Sequence, residues 1–538
     1  MKNSSLRRKT SSKFARGTLI LTIGALMCKV IGAFYRIPLS NILGPEGIGV
    51  YQLVFPVYSL FLIFASGGVP AALSKLVASC RAKGEKSRAK RFLFQATLLL
   101  TFLSFVFALL FFLLGSKIAT FQGNPLASFG YVGAAAAIIF ASVLTSFRGY
   151  FQGYQNMLPT AVSQILEQVL KLVLGLTFAF LLMPRGVGFG AMGAMLGVAA
   201  GEVVALAYLF VTYLFKREKN DILEPRNEKK FWQDFWILIK QVFPITLNAS
   251  ILPLILAVDS FLIVNLLNSS GVSSSFSTQM FGVYSGMVNS LINFPTIVST
   301  ALATALIPAI SFQNELGRNE KIGSIFKIVF FVSIPFVFIF LSFSREIIAI
   351  LYPSATHGEL LEIGALLLRI CAINVFYISI LQVATAILQA KNRSFGALLN
   401  LFVAGVIKVL LTVFLVQSPL LIYGAAVASV MCYAISSGLN IIMLRGEVRF
   451  GLSVKCVSFI FLNSFLAICI AVGFNELFLL AFSGFVSMIF ALLLAGFSYL
   501  LLCFFTPIFE DEEIEKIPFG TIINFLRNKL KFRKKGNT

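Results

Sequence analysis

The feature that most constrains this chain is a series of long apolar stretches repeated from one end to the other. A helix needs about 20 mostly apolar residues to cross roughly 30 Å of hydrocarbon. Such runs lie near 17–40, 49–80, 92–115, 129–148, 159–183, 190–215, 235–267, 279–309, 324–343, 361–389, 397–417, 420–444, 456–474 and 479–503. The longest of them predict tilt, kinks or extension past the bilayer. Charged residues are 12% of the chain, about half of what a soluble domain carries. Its 57 Phe residues suit faces turned to lipid. The pattern predicts an all-α polytopic membrane protein with about 14 transmembrane helices.

A net charge of +22 could suggest nucleic acid, but the placement of the basic residues argues against it. With fourteen spans and the N-terminus inside, the cytoplasmic segments hold 33 of the 44 Lys and Arg, and the outer connections hold only Lys117, Arg185 and Arg345. That is a strong positive-inside bias, and it predicts both termini in the cytoplasm. The basic arm Lys2 to Arg16 before an apolar run superficially resembles a secretory signal. Lys29 interrupts the run and no A-x-A-like site follows, so it reads as the first span. The seven cysteines are scattered through apolar runs with no CxxC pair and read as small buried hydrophobes.

The longest polar stretch between spans, Lys216 to Asp234, divides the helices six before and eight after. Four features recur across this divide at nearly one offset. Gly49-Val50-Tyr51 matches Gly282-Val283-Tyr284, Asn156 matches Asn392, Lys171 matches Lys408, and Gly193-Ala194 matches Gly424-Ala425. The expected organisation is two pseudo-symmetric six-helix lobes, 1–220 and 221–450, two additional transmembrane helices in 451–506, and a cytoplasmic tail, 507–538. Six spans per lobe makes the repeats parallel, with a substrate site between them near mid-membrane. In the tail, Phe519, Ile522, Ile523, Leu526 and Leu530 recur at helical spacing among Lys and Arg, which predicts a basic amphipathic helix on the inner leaflet.

No P-loop and no zinc spacing is present, and the single histidine is His357, so neither ATP hydrolysis nor a metal centre is expected. Gly188 to Gly193 matches G-x-G-x-x-G but opens a span instead of following a strand, so it reads as small residues for helix packing. Lys75, Lys240 and Lys327 lie near cytoplasmic helix ends and can snorkel. Lys29, Arg36, Lys171, Arg369 and Lys408 lie deeper, with the acids Glu167, Glu202 and Asp259. Charges at that depth face water or each other. Thr22, Lys29 and Arg36 form one helical stripe, as do Gln164, Glu167, Gln168 and Lys171, and Asn400, Lys408 and Thr412. A further polar stripe is Asn289, Asn293, Thr296, Thr300 and Thr304. Glu167 precedes Lys171 by four, the favourable order for an intrahelical pair. Five deep cations against three acids leave a positive excess, which points to an anionic substrate, with phosphate the obvious candidate.

The stretch Lys29 to Leu39, the segment Leu43-Gly44-Pro45-Glu46-Gly47-Ile48-Gly49-Val50-Tyr51-Gln52, and Arg148-Gly149-Tyr150-Phe151-Gln152-Gly153-Tyr154-Gln155-Asn156-Met157 resemble the SpoVB/YtgP polysaccharide-biosynthesis proteins of Gram-positive bacteria. These stand with the MurJ lipid II flippases in the superfamily that includes the MATE drug exporters. The resemblance implies a two-lobed V-shaped transporter of the bacterial cell membrane that works by alternating access. It implies export of an undecaprenyl-pyrophosphate-linked sugar or peptidoglycan precursor, in vegetative wall synthesis or in sporulation, alongside the cell-wall synthesis machinery. It also suggests that the last two spans form a groove for the polyprenyl tail. The expected substrate-contacting residues are Lys29, Arg36, Glu167, Lys171, Arg369 and Lys408. Glu202 and Asp259 are the candidates for a coupling Na⁺ or H⁺, and no other cofactor and no catalytic residue is expected. The rival is a MATE-type cation-coupled antiporter, which would favour a cavity dominated by carboxylates. A membrane glycosyltransferase would need a larger outer loop with paired acids than this chain has.

Overall fold

In the computed structural model the described residues are 2–216, 228–311, 315–356, 358–391, 393–445, 453–480, 483–506 and 508, and every regular element among them is helical. The first half contains α1 (Lys2–Ser66), α2 (Val69–Ala82), α3 (Lys86–Phe121), α4 (Ala127–Gly153), α5 (Met157–Leu182) and α6 (Val187–Lys216). The second begins with α7 (Glu228–Ser269) and α8 (Ser274–Phe281), which runs through a π-helical turn at Gly282–Val288 into α9 (Asn289–Ser311). It continues through α10 (Glu315–Ser342), α11 (Ser344–Leu351), α12 (Leu360–Cys371), α13 (Asn374–Ala390), α14 (Ser394–Val416) and α15 (Ile422–Leu444). Two further helices follow, α16 (Val454–Leu479) and α17 (Gly484–Phe505). The expected amphipathic tail helix and His357 lie outside the described residues.

The protein is a multi-pass membrane protein, but the expected count of fourteen spans is not reached by length and composition. Eleven helices qualify among the described residues, or twelve if α12 and α13, bent by 42° at their junction, are one span. The shortfall has physical causes. The stretch Ile20–Ala82 counts once, although α1 is interrupted at Gly44, whose φ of 66° favours glycine. Lys171 Nζ lies 5.4 Å from the Tyr35 ring and 5.2 Å from the Phe55 ring. The two rings are therefore within about 11 Å of each other, whereas twenty residues of straight helix would separate them by about 30 Å. So α1 folds back at Gly44 as a helical hairpin. The run near 279–309, which α8, the π-helical turn and α9 make up, is not among the counted spans either.

Packing repeats between the halves. In the first, α5 packs on α6, α4 on α6, α3 on α4 and α1 on α5; in the second, α14 packs on α15, α13 on α15, α10 on α13 and α7 on α14. The matched glycines meet: a Cβ placed on Gly282 would lie 2.8 Å from Gly49 N and 3.0 Å from Gly49 Cα. Beside them Gln52 Nε2 donates to Ser285 O at 2.9 Å, two positions 233 apart in sequence. No side chain larger than hydrogen fits this crossing, which is why both repeats carry Gly there.

The closely packed helix pairs that join the halves all involve α1 or α7. At the end of the bundle near Gly44, Asn41 Nδ2 donates to Leu351 O (2.8 Å), Asn124 Nδ2 to Thr278 Oγ1 (2.8 Å) and Gln122 Nε2 to Ser260 Oγ (3.1 Å). At the opposite end α7 lies against α3, with Arg88 and Arg91 on the buried Asp234 at 2.8 and 3.1 Å. Large apolar residues such as Phe102, Phe105, Phe112, Phe461 and Phe497 are exposed, because lipid is the solvent for those faces. The G-x-G-x-x-G segment opens α6, and the small residues that follow it pack closely on α5.

Candidate functional site

A cavity of about 310 Å³ lies between the two halves. Its first-half wall carries Lys29, Tyr35 and Arg36 from one arm of α1, Tyr51 and Phe55 from the other arm, and Lys171 from α5. Its second-half wall is neutral and polar: Ser290, Asn293, Thr296 and Thr300 from α9, and Gln382 from α13. The seven-residue spacing of Lys29 and Arg36 puts both on one face of α1. The stripe through Asn293, Thr296 and Thr300 likewise faces the cavity, and Thr300 donates to Gln382 Oε1 at 2.9 Å. No Asp or Glu lines this space.

The three cations differ in how they are held. The Arg36 guanidinium donates from Nη1 to Ser290 Oγ at 3.3 Å, across the seam between the halves. The Lys171 ammonium sits over the faces of Tyr35 and Phe55. A cation over a ring face gains about 0.5–2 kcal/mol, the larger value where water is excluded; Tyr35 is buried and Phe55 half-buried. Lys29 is the most exposed of the three. Among the described residues none of the three has a carboxylate within ion-pair distance.

The intrahelical Glu167–Lys171 pair is not formed. Arg148, at the end of α4, reaches across to take the carboxylate, with Nη2 2.7 Å from Glu167 Oε2, while its Nε donates to Ser163 Oγ at 3.0 Å. The planar guanidinium suits this two-point grip, and Lys171 is left turned to the aromatic rings. Lys408 does not reach the cavity either. Its ammonium is buried and paired with Asp259 of α7. The neighbouring Asn400 donates to Asn440 Oδ1 at 2.8 Å, so the polar stripe of α14 turns to its own lobe. Arg369 is exposed and donates from Nε to Ser344 Oγ at 2.8 Å. It does not line the cavity that Gln382 of α13 lines, and a bend of 42° lies between α12 and α13. Glu202 is buried, with Oε1 accepting from Tyr58 OH at 2.9 Å. The deep acids thus partner groups other than Lys29, Arg36 and Lys171.

Sequence reasoning did not foresee Tyr35 and Phe55 as the rings around Lys171, nor Tyr51 stacked on Phe55, nor Arg148 as the partner of Glu167. Three of the four lie inside the segments that carried the family resemblance, so a signal was present; what was missing was the hairpin that brings them together.

Beside the cation cavity, and sharing Ala33 and Ser290 with it, is an apolar cleft of about 630 Å³. It is lined by Phe34 and Ile37 of α1, Phe294 of α9, Phe336 of α10, and Met488 and Leu492 of α17, among others. Of the last two helices, α17 contributes to the cleft and α16 does not.

Residues 14–313 match the family described as polysaccharide biosynthesis protein. The chain is 29% identical over 427 residues to stage V sporulation protein B of Bacillus subtilis, an alignment spanning 78% of this chain and 80% of that protein. It is 27% identical over 465 residues to the lipid II flippase MurJ of the same organism, spanning 81% of this chain and 83% of that one. Among solved structures, a lipid II flippase MurJ in an inward closed conformation superposes with a TM-score of 0.67 at 15% identity, covering 90% of this chain and 98% of that one.

Proposed function

The chain belongs to the polysaccharide biosynthesis protein family, and from that premise we propose that its cavity carries the anionic head group of a lipid-linked sugar precursor from the inner to the outer leaflet. The observation that carries this reading is the pairing of two adjoining spaces. One is lined by three cations without carboxylate partners, the other by apolar side chains. A pyrophosphate fits Lys29, Arg36 and Lys171, since phosphate oxygens accept charge-assisted bonds from Arg and Lys. The second-half wall, with its hydroxyls and amides, suits a sugar. A polyprenyl chain fits the cleft between α1, α10 and α17. The relatives support the substrate class: one is named a lipid II flippase.

With both termini in the cytoplasm, as the charge bias predicts, the polar contacts near Gly44 close the outer end. Two six-helix lobes, 1–220 and 221–450, would rock about α1 and α7 to open it. An inside-negative potential favours the outward step by roughly 2.3 kcal/mol per charge per 100 mV. No chemistry on the substrate is required. A MATE-type antiporter remains the rival, but a cation carrier would need acids in the cavity wall, and that wall has none.

Expression in a bacterium depleted of its lipid II flippase tests the function: rescue of growth supports it, and absence of rescue by a well-expressed protein counts against a lipid II-like substrate. Single cysteines at Gly84 and Ser270 test the orientation. The first should be reached by an impermeant thiol reagent only from inside and the second only from outside.

A further inference from the structure

The cation wall has a second layer. Phe55, which faces the Lys171 ammonium, has its ring centroid 6.1 Å from that of Tyr58, one turn further along α1. Tyr58 OH donates to Glu202 Oε1 on α6 at 2.9 Å, and both residues are buried. The other carboxyl oxygen, Oε2, is buried and meets no hydrogen-bond partner among the described residues. The chain Lys171, Phe55, Tyr58, Glu202 therefore leads from the cavity to a carboxyl group that the ion pairs among the described residues leave aside.

Each neighbouring charge that could fix Glu202 as an anion is already engaged or held apart. From α4, Arg148 is bound to Glu167. From α5, Glu167 is itself acidic and Lys171 lies over the rings of Tyr35 and Phe55. From α1, Tyr58 is neutral. Arg185 stands at the far end of α6. The close approach of α6 to α5 at Gly201, where a Cβ would lie 2.9 Å from Glu167 O, keeps the carboxyl next to that charged layer. A buried carboxylate with no cation in ion-pair reach is costly, and a neutral carboxyl is much less so.

We propose that Glu202, held by Tyr58, is a proton-binding site that sets the anion affinity of the cavity; this rests on the reading of the cavity as an anion carrier. With Glu202 protonated, the positive field of Lys171 acts undiminished on a bound phosphate. With Glu202 ionised, its negative charge, one aromatic layer behind, offsets part of that field. Anion and proton then favour each other's binding, and by linkage the effect is reciprocal. Asp259 is not an equivalent site, because its charge is matched by Lys408.

The test is equilibrium binding of a radiolabelled undecaprenyl-pyrophosphate lipid to the purified full chain between pH 5.5 and 8.5, with Glu202→Gln and Tyr58→Phe as variants. Affinity of the wild type should fall about fivefold or more as pH rises through the transition of Glu202. Glu202→Gln, which fixes the neutral form, should stay near the low-pH affinity throughout, and any slope shared by both proteins belongs to the ligand's own phosphates. Equal slopes in the two proteins overturn the proposal. Infrared difference spectra of the unliganded proteins between the same pH limits form a second arm. A carboxylic-acid band that is lost in Glu202→Gln and displaced in Tyr58→Phe supports the site, and a spectrum unchanged by either substitution overturns it. If the wild type binds no such lipid, the anion-carrier reading fails, and the spectra still decide whether Glu202 takes up a proton.

Discussion

Lys171 and Lys408 occupy matching places in the two repeats and live in opposite electrostatic states. Lys171 stands over two aromatic rings at the edge of a cavity, with no carboxylate in ion-pair reach among the described residues. Lys408 is buried against Asp259. The same asymmetry runs through the walls: cations from the first half, hydroxyls and amides from the second. Two copies of one architecture thus hold their matched lysines differently, one over aromatic rings at a cavity and the other against an acid. The lesson is that an embedded lysine announces a functional or structural need, and only its partner says which.

The largest effect that would sharpen this contrast is on stability. Lys408→Gln alone leaves Asp259 buried and unpaired, and should destabilise the protein by about 3–5 kcal/mol. The double variant Asp259→Asn with Lys408→Gln should regain most of that, measured by thermal unfolding in detergent. A stable single variant would break the comparison on the Lys408 side.

Lys171→Gln should do the reverse. Unfolding should hardly change, while flipping in proteoliposomes falls by the loss of a charge-assisted contact of about 1.5–3 kcal/mol, roughly tenfold to a hundredfold. Adding Glu167→Gln should not restore it, because Glu167 belongs to Arg148; rescue by the double variant would return Lys171 to a structural role. Phe55→Leu keeps an apolar side chain but removes one ring face, and should weaken flipping by a smaller factor corresponding to about 0.5–2 kcal/mol. The smallest effect belongs to Arg369→Gln. This exposed residue contacts Ser344 away from the cavity, so stability should stay within about 0.5 kcal/mol of wild type and flipping should be nearly unchanged.

Much of the fold was legible because apolar run length is a direct image of bilayer thickness. The repeat could be read because both Gly49 and Gly282 are demanded by one crossing, where neither tolerates a side chain. Helical spacing also placed Lys29, Arg36 and the Asn293, Thr296, Thr300 stripe on the correct faces. It failed where partners come from other helices. Spacing along α5 offered Glu167 to Lys171, yet Arg148 arrives from α4; spacing along α14 could not show Asp259 on α7. The reversal at Gly44 and the bend between α12 and α13 decide which residues meet, and a stripe on one helix does not reveal either.

The central claim is that the anionic head group is bound by the unpaired cations of the first half and not by Lys408. Its most direct test is the affinity of the purified protein for a radiolabelled undecaprenyl-pyrophosphate lipid at one pH, compared between Lys171→Gln and the charge-neutral pair replacement Asp259→Asn with Lys408→Gln. Lys171→Gln should bind at least about tenfold more weakly than wild type, and the pair replacement should bind as wild type does. Undiminished binding by Lys171→Gln together with lost binding by the pair replacement would contradict the account.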